Sequence, residues 1–175
     1  MIKVILFVLV IALGAMAALI ASRPGTFHFE RSGLINAPSE KIFPYLTNFK
    51  LGSQWTPYEK MDPNMKKTYS GPDSGVGSIM AFDGNRKVGS GRLEMVTVIP
   101  NNFVEIRLTM LSPMKAENIV QYKLDTKDHG TLFTWSMSGH NNFLSKGISL
   151  FIDCDKLIGD QFSQGIQNLK QLTEK

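Results

Sequence analysis

The last patterned stretch of the chain, from Phe151 to Leu172, has the hydrophobic spacing of one long amphipathic helix. Its apolar residues recur every three or four positions, which places them on one helix face: Phe151, Cys154, Ile158, Phe162, Ile166, Leu169 and Leu172. At ~1.5 Å per residue this helix is about 33 Å long. Gly159 and Gly165 lie beside or within the apolar face, where each costs roughly 1 kcal/mol against alanine. They indicate either close packing of the helix on a sheet or a space left for a ligand.

The middle of the chain alternates apolar and polar residues with a period of two, as strands with one buried and one exposed face do. The predicted strands are Phe27–Asn36, Lys66–Ser70, Val76–Asp83, Arg86–Ile99, Phe103–Leu111, Lys115–Asp125 and Thr131–Ser138. The Asp83-Gly84-Asn85 sequence predicts a hairpin between two of them. The segment Gly139–Gly147 is expected to be a loop that leads into the final helix.

Two short helices are predicted between the first strand and the others. The first contains Ile42, Phe43, Leu46 and Phe49 on one face, and the second lies within Leu51–Tyr58. The order is strand, short helices, six strands and one long helix. It predicts an α+β fold in which a curved antiparallel sheet wraps around the C-terminal helix.

The N-terminus carries an uninterrupted apolar segment, Val4–Ala21, of eighteen residues without a charge. As a helix it is about 27 Å long, close to the thickness of a hydrocarbon core. We favour a retained single-pass membrane anchor, and a signal peptide cleaved near Ala15-Met16-Ala17 is the alternative. The flanking charges do not set the orientation, so the side of the membrane is open. The predicted organisation is an anchor over residues 1–22, a linker over 23–26 and a folded domain over 27–175.

Composition narrows the function classes. The chain has 175 residues, of which 43% are hydrophobic and 19% charged, values typical of one folded domain. The net charge of +4 is spread along the sequence, which argues against a nucleic-acid surface. The single cysteine, Cys154, cannot form an internal disulfide, and we expect it to be a buried thiol.

Four stretches together resemble a known family. They are Ile35-Asn36-Ala37-Pro38-Ser39-Glu40-Lys41-Ile42-Phe43, Trp55-Thr56-Pro57-Tyr58 with Asp62-Pro63-Asn64-Met65, Tyr69-Ser70-Gly71-Pro72 with Gly75-Val76-Gly77, and Asp155-Lys156 followed by Gly159, Phe162, Gly165 and Leu169-Lys170. This combination resembles the polyketide cyclase/dehydrase branch of the START-like, Bet v 1-like superfamily, often called SRPBCC. The resemblance implies a helix-grip domain over 27–175, with a deep apolar cavity that binds hydrophobic small molecules or lipids. The chain departs from the family pattern at Tyr58, where tryptophan is expected.

The residues expected to line such a cavity come from the inner faces of the strands, the long helix and the Trp55 segment. They are Trp55, Phe82, Met95, Met110, Asn118, Tyr122, Trp135, Met137, Ile158 and Phe162. Its methionines are either an adaptable cavity wall or ordinary core residues.

Candidate chemistry is sparse on this inner face. Only Asn118 and Tyr122 are strongly polar, and neither is a ready base. His28, His129 and His140 are interpreted as surface residues, and none stands at metal-ligand spacing from a cysteine or carboxylate. The sequence therefore predicts no catalytic residue, no metal and no cofactor.

Three functions remain open. The first is a membrane-anchored binding protein for a hydrophobic small molecule or lipid. The second is an enzyme acting on an aromatic or polyketide-like substrate, which the resemblance alone suggests. The third is a protein-interaction module that uses the outer strand face or the Asn141-Asn142-Phe143-Leu144 loop. The residues favour the first over the second.

Overall fold

The computed structural model describes residues 1–175 as six helices and seven strands. The helices are α1 (Ile2–Ala21), α2 (Ser39–Thr47), α3 (Phe49–Gly52), α4 (Tyr58–Met61), α5 (Phe143–Ile148) and α6 (Cys154–Thr173). The strands are β1 (Thr26–Ile35), β2 (Lys66–Ser70), β3 (Ile79–Asp83), β4 (Ser90–Ile99), β5 (Phe103–Ser112), β6 (Ala116–Lys127) and β7 (Gly130–His140).

The strands form one antiparallel sheet in the order β1-β7-β6-β5-β4-β3-β2. Strands β2 to β7 follow one another as a meander, and β1 pairs with β7 from Thr26 opposite His140 to Ile35 opposite Thr131. Helices α2 to α4 therefore carry the chain from one edge of the sheet to the other. The predicted α+β architecture, a curved antiparallel sheet around a long C-terminal helix, is confirmed.

Helix α6 lies along the inner face of the sheet, in the same direction as β1. Near its start the Asp155 carboxylate accepts from the Arg31 guanidinium at 2.9 Å, and just beyond its end Glu174 accepts from the Asn36 backbone N–H at 2.7 Å. Its buried face packs on a core that includes Trp55, Phe133 and Leu169. The core therefore lies between α6 and the sheet.

The two helix glycines are explained by close packing. A Cβ on Gly165 would lie 2.5 Å from Cζ3 of Trp135, and one on Gly159 would collide with the Arg31 guanidinium. The absence of a side chain lets Trp135 and Arg31 approach the helix backbone. Packing, rather than a space for a ligand, accounts for both positions.

Several element boundaries differ from the sequence prediction. Strand β4 begins at Ser90 rather than Arg86, and the segment Leu51–Tyr58 holds the end of α3 and the start of α4 rather than one helix. Helix α6 begins at Cys154 because the Asp153 side chain caps it, accepting from the Lys156 backbone N–H at 2.9 Å. Phe151 is therefore outside the helix and 82% exposed, and Cys154 is only partly buried. Strand β3 begins at Ile79, since Gly75 and Gly77 adopt positive φ in a turn that precedes it. The expected loop Gly139–Gly147 instead continues β7 to His140 and then forms α5.

Helix α1 extends from the domain with no residue buried. It is long and apolar enough to cross a membrane, and a signal sequence would have the same length and composition. Its C-terminal end contacts α5, where the Lys146 Nζ donates to the Ala21 carbonyl at 3.3 Å. The sequence expectation of an apolar N-terminal helix is confirmed, and its role as an anchor is taken up below.

Candidate functional site

A cavity of about 340 Å³ lies between α6, the inner face of the sheet and the α2–α4 segment. Of its 27 lining residues 19 are hydrophobic, which suits an apolar ligand better than a charged one. Every second residue of β5, β6 and β7 forms the sheet side of the cavity, because successive side chains of a strand point to opposite faces. Helix α6 contributes Ile158 and Phe162 one turn apart.

The structure brings nine of the ten sequence-predicted residues to the cavity wall. They are Trp55, Phe82, Met110, Asn118, Tyr122, Trp135, Met137, Ile158 and Phe162. The tenth, Met95, is 1% exposed and belongs to the packed core instead. It shares a strand face with Leu93, which does line the cavity. Alternation identifies the inner face of a strand but not the point along it where a cavity ends.

Aromatic rings form the rigid part of the wall. The Trp135 ring stacks on Phe162 with centroids 4.2 Å apart, and Trp55 meets Trp135 edge-on at 5.1 Å. Trp55 is fixed by two hydrogen bonds, one from its Nε1 to the Tyr45 carbonyl at 3.0 Å and one from the Asn168 amide to its own carbonyl at 2.9 Å. The cavity is therefore pre-formed by residues that hold one another in place.

Two buried atoms of wall residues, Asn118 Oδ1 and Trp135 Nε1, have no hydrogen-bond partner in the protein. Asn118 pairs in register with Gly139, and its carboxamide lies over the space that a side chain at Gly139 would fill. An unpaired buried polar group costs roughly 1–3 kcal/mol, so a structure that keeps two needs a reason. A ligand offering one donor or acceptor to each would supply it.

Two phenols add further neutral polar groups. Burial of the Tyr58 phenol raises its pKa to about 12, while the rest of the residue is partly exposed. Burial also raises the pKa of Tyr122, and the nearby Tyr58 raises it further. No hydrogen bond contributes to either shift. Both phenols therefore stay protonated at physiological pH, where they can donate to a ligand but are poor bases.

Charged groups stand only near the edge of the cavity. The Glu59 carboxylate pairs with Lys67 Nζ at 2.6 Å, and both side chains are mostly shielded from solvent. Lys87, from the loop between β3 and β4, is exposed where it borders the cavity. No cluster of His, Cys, Asp and Glu side chains is arranged to hold a metal ion.

Sequence reasoning missed Tyr45, Tyr58, Glu59 and Lys87 as cavity residues. All four lie in short helices or loops, where no regular period identifies an inner face. Tyr58 alone carried a signal, its departure from the family pattern. Only the folded structure shows that Tyr58 lies close enough to Tyr122 to raise its pKa.

No protein-family model matches the chain, and no curated protein matches it in sequence. Solved structures are similar to it in fold. Protein CV1439 from Chromobacterium violaceum superposes with a TM-score of 0.61 at 14% identity, over 87% of this chain and 99% of that one. Ara h 8.0201 superposes with a TM-score of 0.58 at 16% identity, over 85% of this chain and 98% of that one. The di-domain ARO/CYC BexL of the BE-7585A biosynthetic pathway gives 0.62 at 12%, over 90% of this chain and 53% of that one.

These similarities confirm the helix-grip fold that the family resemblance implied. The chain has the helix-grip, Bet v 1-like fold, and both Ara h 8.0201 and a part of BexL superpose on it. At identities of 12–16% the likeness extends to the fold alone. What the cavity holds has to be argued from its own residues.

Proposed function

We propose that this protein binds a small, largely hydrophobic molecule with one neutral polar group, and that α1 holds it at a membrane while it does so. The observation that carries the proposal is the pre-formed apolar cavity, two of whose lining residues hold a buried polar atom without a partner. The predicted lining residues Trp55, Tyr122 and Trp135, which meet there, act as ligand contacts.

The size and lining of the cavity favour a hydrophobic ligand. Its volume of about 340 Å³ falls within the usual range of roughly 300–1,000 Å³ for small-molecule sites. Transfer of apolar surface out of water contributes about 25 cal/mol per Å² buried. The aromatic wall around Trp135 offers flat surfaces for rings as well as for alkyl chains.

The polar groups select a neutral head group. Asn118, Trp135 and the two phenols offer hydrogen bonds, and none carries a charge at physiological pH. Placed beside these groups, away from Lys87, a ligand carboxylate or ammonium would lose its hydration without gaining a counter-charge, which is costly. Glu59 and Lys67 already neutralise each other. The favoured ligand classes are therefore alcohols, phenols, ketones and esters.

The membrane part rests on the position of α1. Only residues 22–25 separate the end of α1 from the start of β1, and the Asn141 backbone N–H holds Gly25 by a hydrogen bond of 2.9 Å. A retained α1 would thus keep the cavity close to the bilayer. Hydrophobic molecules concentrate in bilayers, so the tether would place the site beside its ligand supply.

The experiment is native mass spectrometry of the full-length protein extracted from its own membrane, followed by analysis of an organic extract. We expect a retained N-terminus and a stoichiometric neutral amphiphile. Met137→Trp, which adds bulk to the cavity wall, is expected to lose that molecule. A protein that is always empty and that takes up neither 2-naphthol nor naphthalene would overturn the proposal.

One observation favours the alternative of an enzyme on aromatic or polyketide-like substrates. Tyr58 and Tyr122 are close enough for one to raise the pKa of the other, and two neighbouring phenols could orient a substrate carbonyl. In that case Tyr122→Phe would abolish turnover while binding persisted. Their raised pKa values count against a role as general bases.

A further inference from the structure

Five large apolar side chains are exposed within one short part of the chain. Phe143 and Leu144 of α5 are each 59% exposed, Phe151 and Ile152 of the following loop are 82% and 48% exposed, and Leu157 of α6 is 56% exposed. Single exposed apolar residues are common on protein surfaces, but a group in one connector is not. We call these five residues the α5 patch.

The α5 patch adjoins the end of the apolar helix. Asn141 donates from its backbone to Gly25 and from its side-chain amide to the Pro24 carbonyl at 3.3 Å, which fixes the linker beside α5. A Cβ on Gly147 would lie 3.6 Å from Cδ1 of Ile20, so α5 packs directly on the last turn of α1. The apolar surface of α1 and that of α5, which holds Phe143 and Leu144, are thus neighbours.

The strand register places two loops that border the cavity at the end of the sheet where α5 and the linker lie. Thr26 at the start of β1 lies opposite His140 at the end of β7, and the pairing continues through the start of β6 and the end of β5 to the end of β3. The loops after β3 and β5 contribute Lys87, Val88 and Pro113 to the cavity wall. Helix α5, the linker and this side of the cavity therefore lie at one end of the sheet.

The charges at this end are mainly positive. The basic residues are Arg23, Arg86, Lys87, Lys115 and Lys146. Of the nearby acids, Glu117 lies 3.3 Å from the Arg107 guanidinium and Asp153 caps α6, whereas Asp83 at the end of β3 is exposed. Basic groups around an apolar patch complement anionic lipid head groups.

We infer that the α5 patch inserts into the interface of the same bilayer that holds α1, so that the loop end of the cavity opens onto lipid. The occupant of the patch is a bilayer surface containing anionic phospholipid. This inference rests on the proposed function, because it takes α1 to be retained in the membrane. The cavity ligand then exchanges with the bilayer without crossing bulk water.

Depth-dependent fluorescence quenching tests the inference in the full-length chain. With the native thiol removed by Cys154→Ser, a single cysteine is introduced by Phe151→Cys and labelled with an environment-sensitive fluorophore. The protein is reconstituted into vesicles of phosphatidylcholine and phosphatidylglycerol that carry doxyl-labelled lipid. A label lying roughly 5–10 Å deep in the interface should be quenched by the doxyl groups.

Two matched labels set the scale. Asp128→Cys marks the turn at the opposite end of the sheet, where we expect no quenching, and Leu9→Cys marks the middle of α1, where we expect strong quenching. In the Phe151→Cys chain, adding Phe143→Ser and Leu144→Ser should reduce the quenching toward the level of the Asp128 label. Both residues are exposed, so an unchanged thermal melt will show that the fold is kept.

The outcomes separate the two proposals. Quenching at positions 9 and 151 supports docking, whereas quenching at position 9 alone overturns docking and leaves the anchor intact. Blue-shifted emission at position 151 without quenching would mean that a protein covers the patch, which also overturns the inference. No quenching at position 9 overturns the anchor and docking together. Uptake of 2-naphthol, measured on the same samples, reports the cavity separately.

Discussion

Replacing Tyr122 with phenylalanine removes one hydroxyl from the cavity wall and leaves the ring in place. The ring is held by Trp55, Phe133 and Trp135, with centroid distances of 5.7, 5.8 and 5.6 Å. The phenol makes no hydrogen bond that affects its titration, and the residue is 8% exposed. Loss of a buried hydroxyl without a partner should leave the free energy of unfolding unchanged or raise it by about 1 kcal/mol.

Tyr122→Phe should weaken ligand binding, although it should not lower the stability. A neutral hydrogen bond to a ligand is worth about 0.5–1.5 kcal/mol net, which corresponds to roughly a 2- to 10-fold change in Kd. We therefore expect Tyr122→Phe to weaken 2-naphthol by this factor and to leave naphthalene, which has no hydroxyl, unaffected.

The assay follows the change in emission of the two tryptophans of the chain, both of which line the cavity, as each probe is titrated. Urea unfolding of the same samples gives the stability. Tyr69→Phe is the matched control, because Tyr69 is 37% exposed and lies outside the cavity. Equal weakening of both probes would show that the ring shifted, and no change in either would show that the hydroxyl does not meet the ligand.

Three further predictions concern packing and pH. Gly165→Ala should lower the free energy of unfolding in urea, because overpacking against Trp135 costs about 1–3 kcal/mol against roughly 1 kcal/mol gained in helix propensity; a more stable variant would refute the close contact. The pKa of Tyr58 rises from 10.0 to about 12 on folding, so the folded protein disfavours the phenolate. The free energy of unfolding should therefore be unaffected by this group below pH 10 and should fall as the pH rises through 12. At ~1.4 kcal/mol per pKa unit that loss is about 3 kcal/mol, and urea titrations of Tyr58→Phe should not show it. The hydrogen bond from Arg31 lowers the pKa of Asp155 below 3.8, so its stabilisation is present above that pH and lost as the pH falls through the folded value. Asp155→Asn should therefore flatten the acid limb of the melting temperature, and an acid limb identical to that of the parent protein would contradict the pairing.

The inner face of the sheet could be predicted because a strand alternates with a period of two. That period is enough to place Asn118, Tyr122 and Trp135 on the inward-facing side of their strands. It could not place Met95, which lies on the same face but beyond the cavity. Nor could it place Tyr58, since a four-residue helix has no stripe from which to infer a facing direction.

The long helix was likewise predicted in part from the sequence. Its spacing predicted a helix that packs on the sheet, yet the apolar stripe also counted Phe151, which is exposed. The Asp153 cap, not the hydrophobic period, sets where the helix begins. The role of Gly165 stayed open in the sequence, because only the position of Trp135 decides whether a missing side chain means contact or space.

Local periodicity in the sequence by itself determined the strands and the long helices, their order and the strand residues that face inward, but not the short helices α3 to α5. These follow from neighbours along the chain, whose side chains must be sorted between water and core. The tertiary structure alone decided the size of the cavity, the unpaired atoms on its wall and the exposed patch beside α1. Each of these depends on how segments far apart in the sequence pack together, which leaves a space unfilled or a surface uncovered. Such long-range contacts produce no periodic pattern in the sequence.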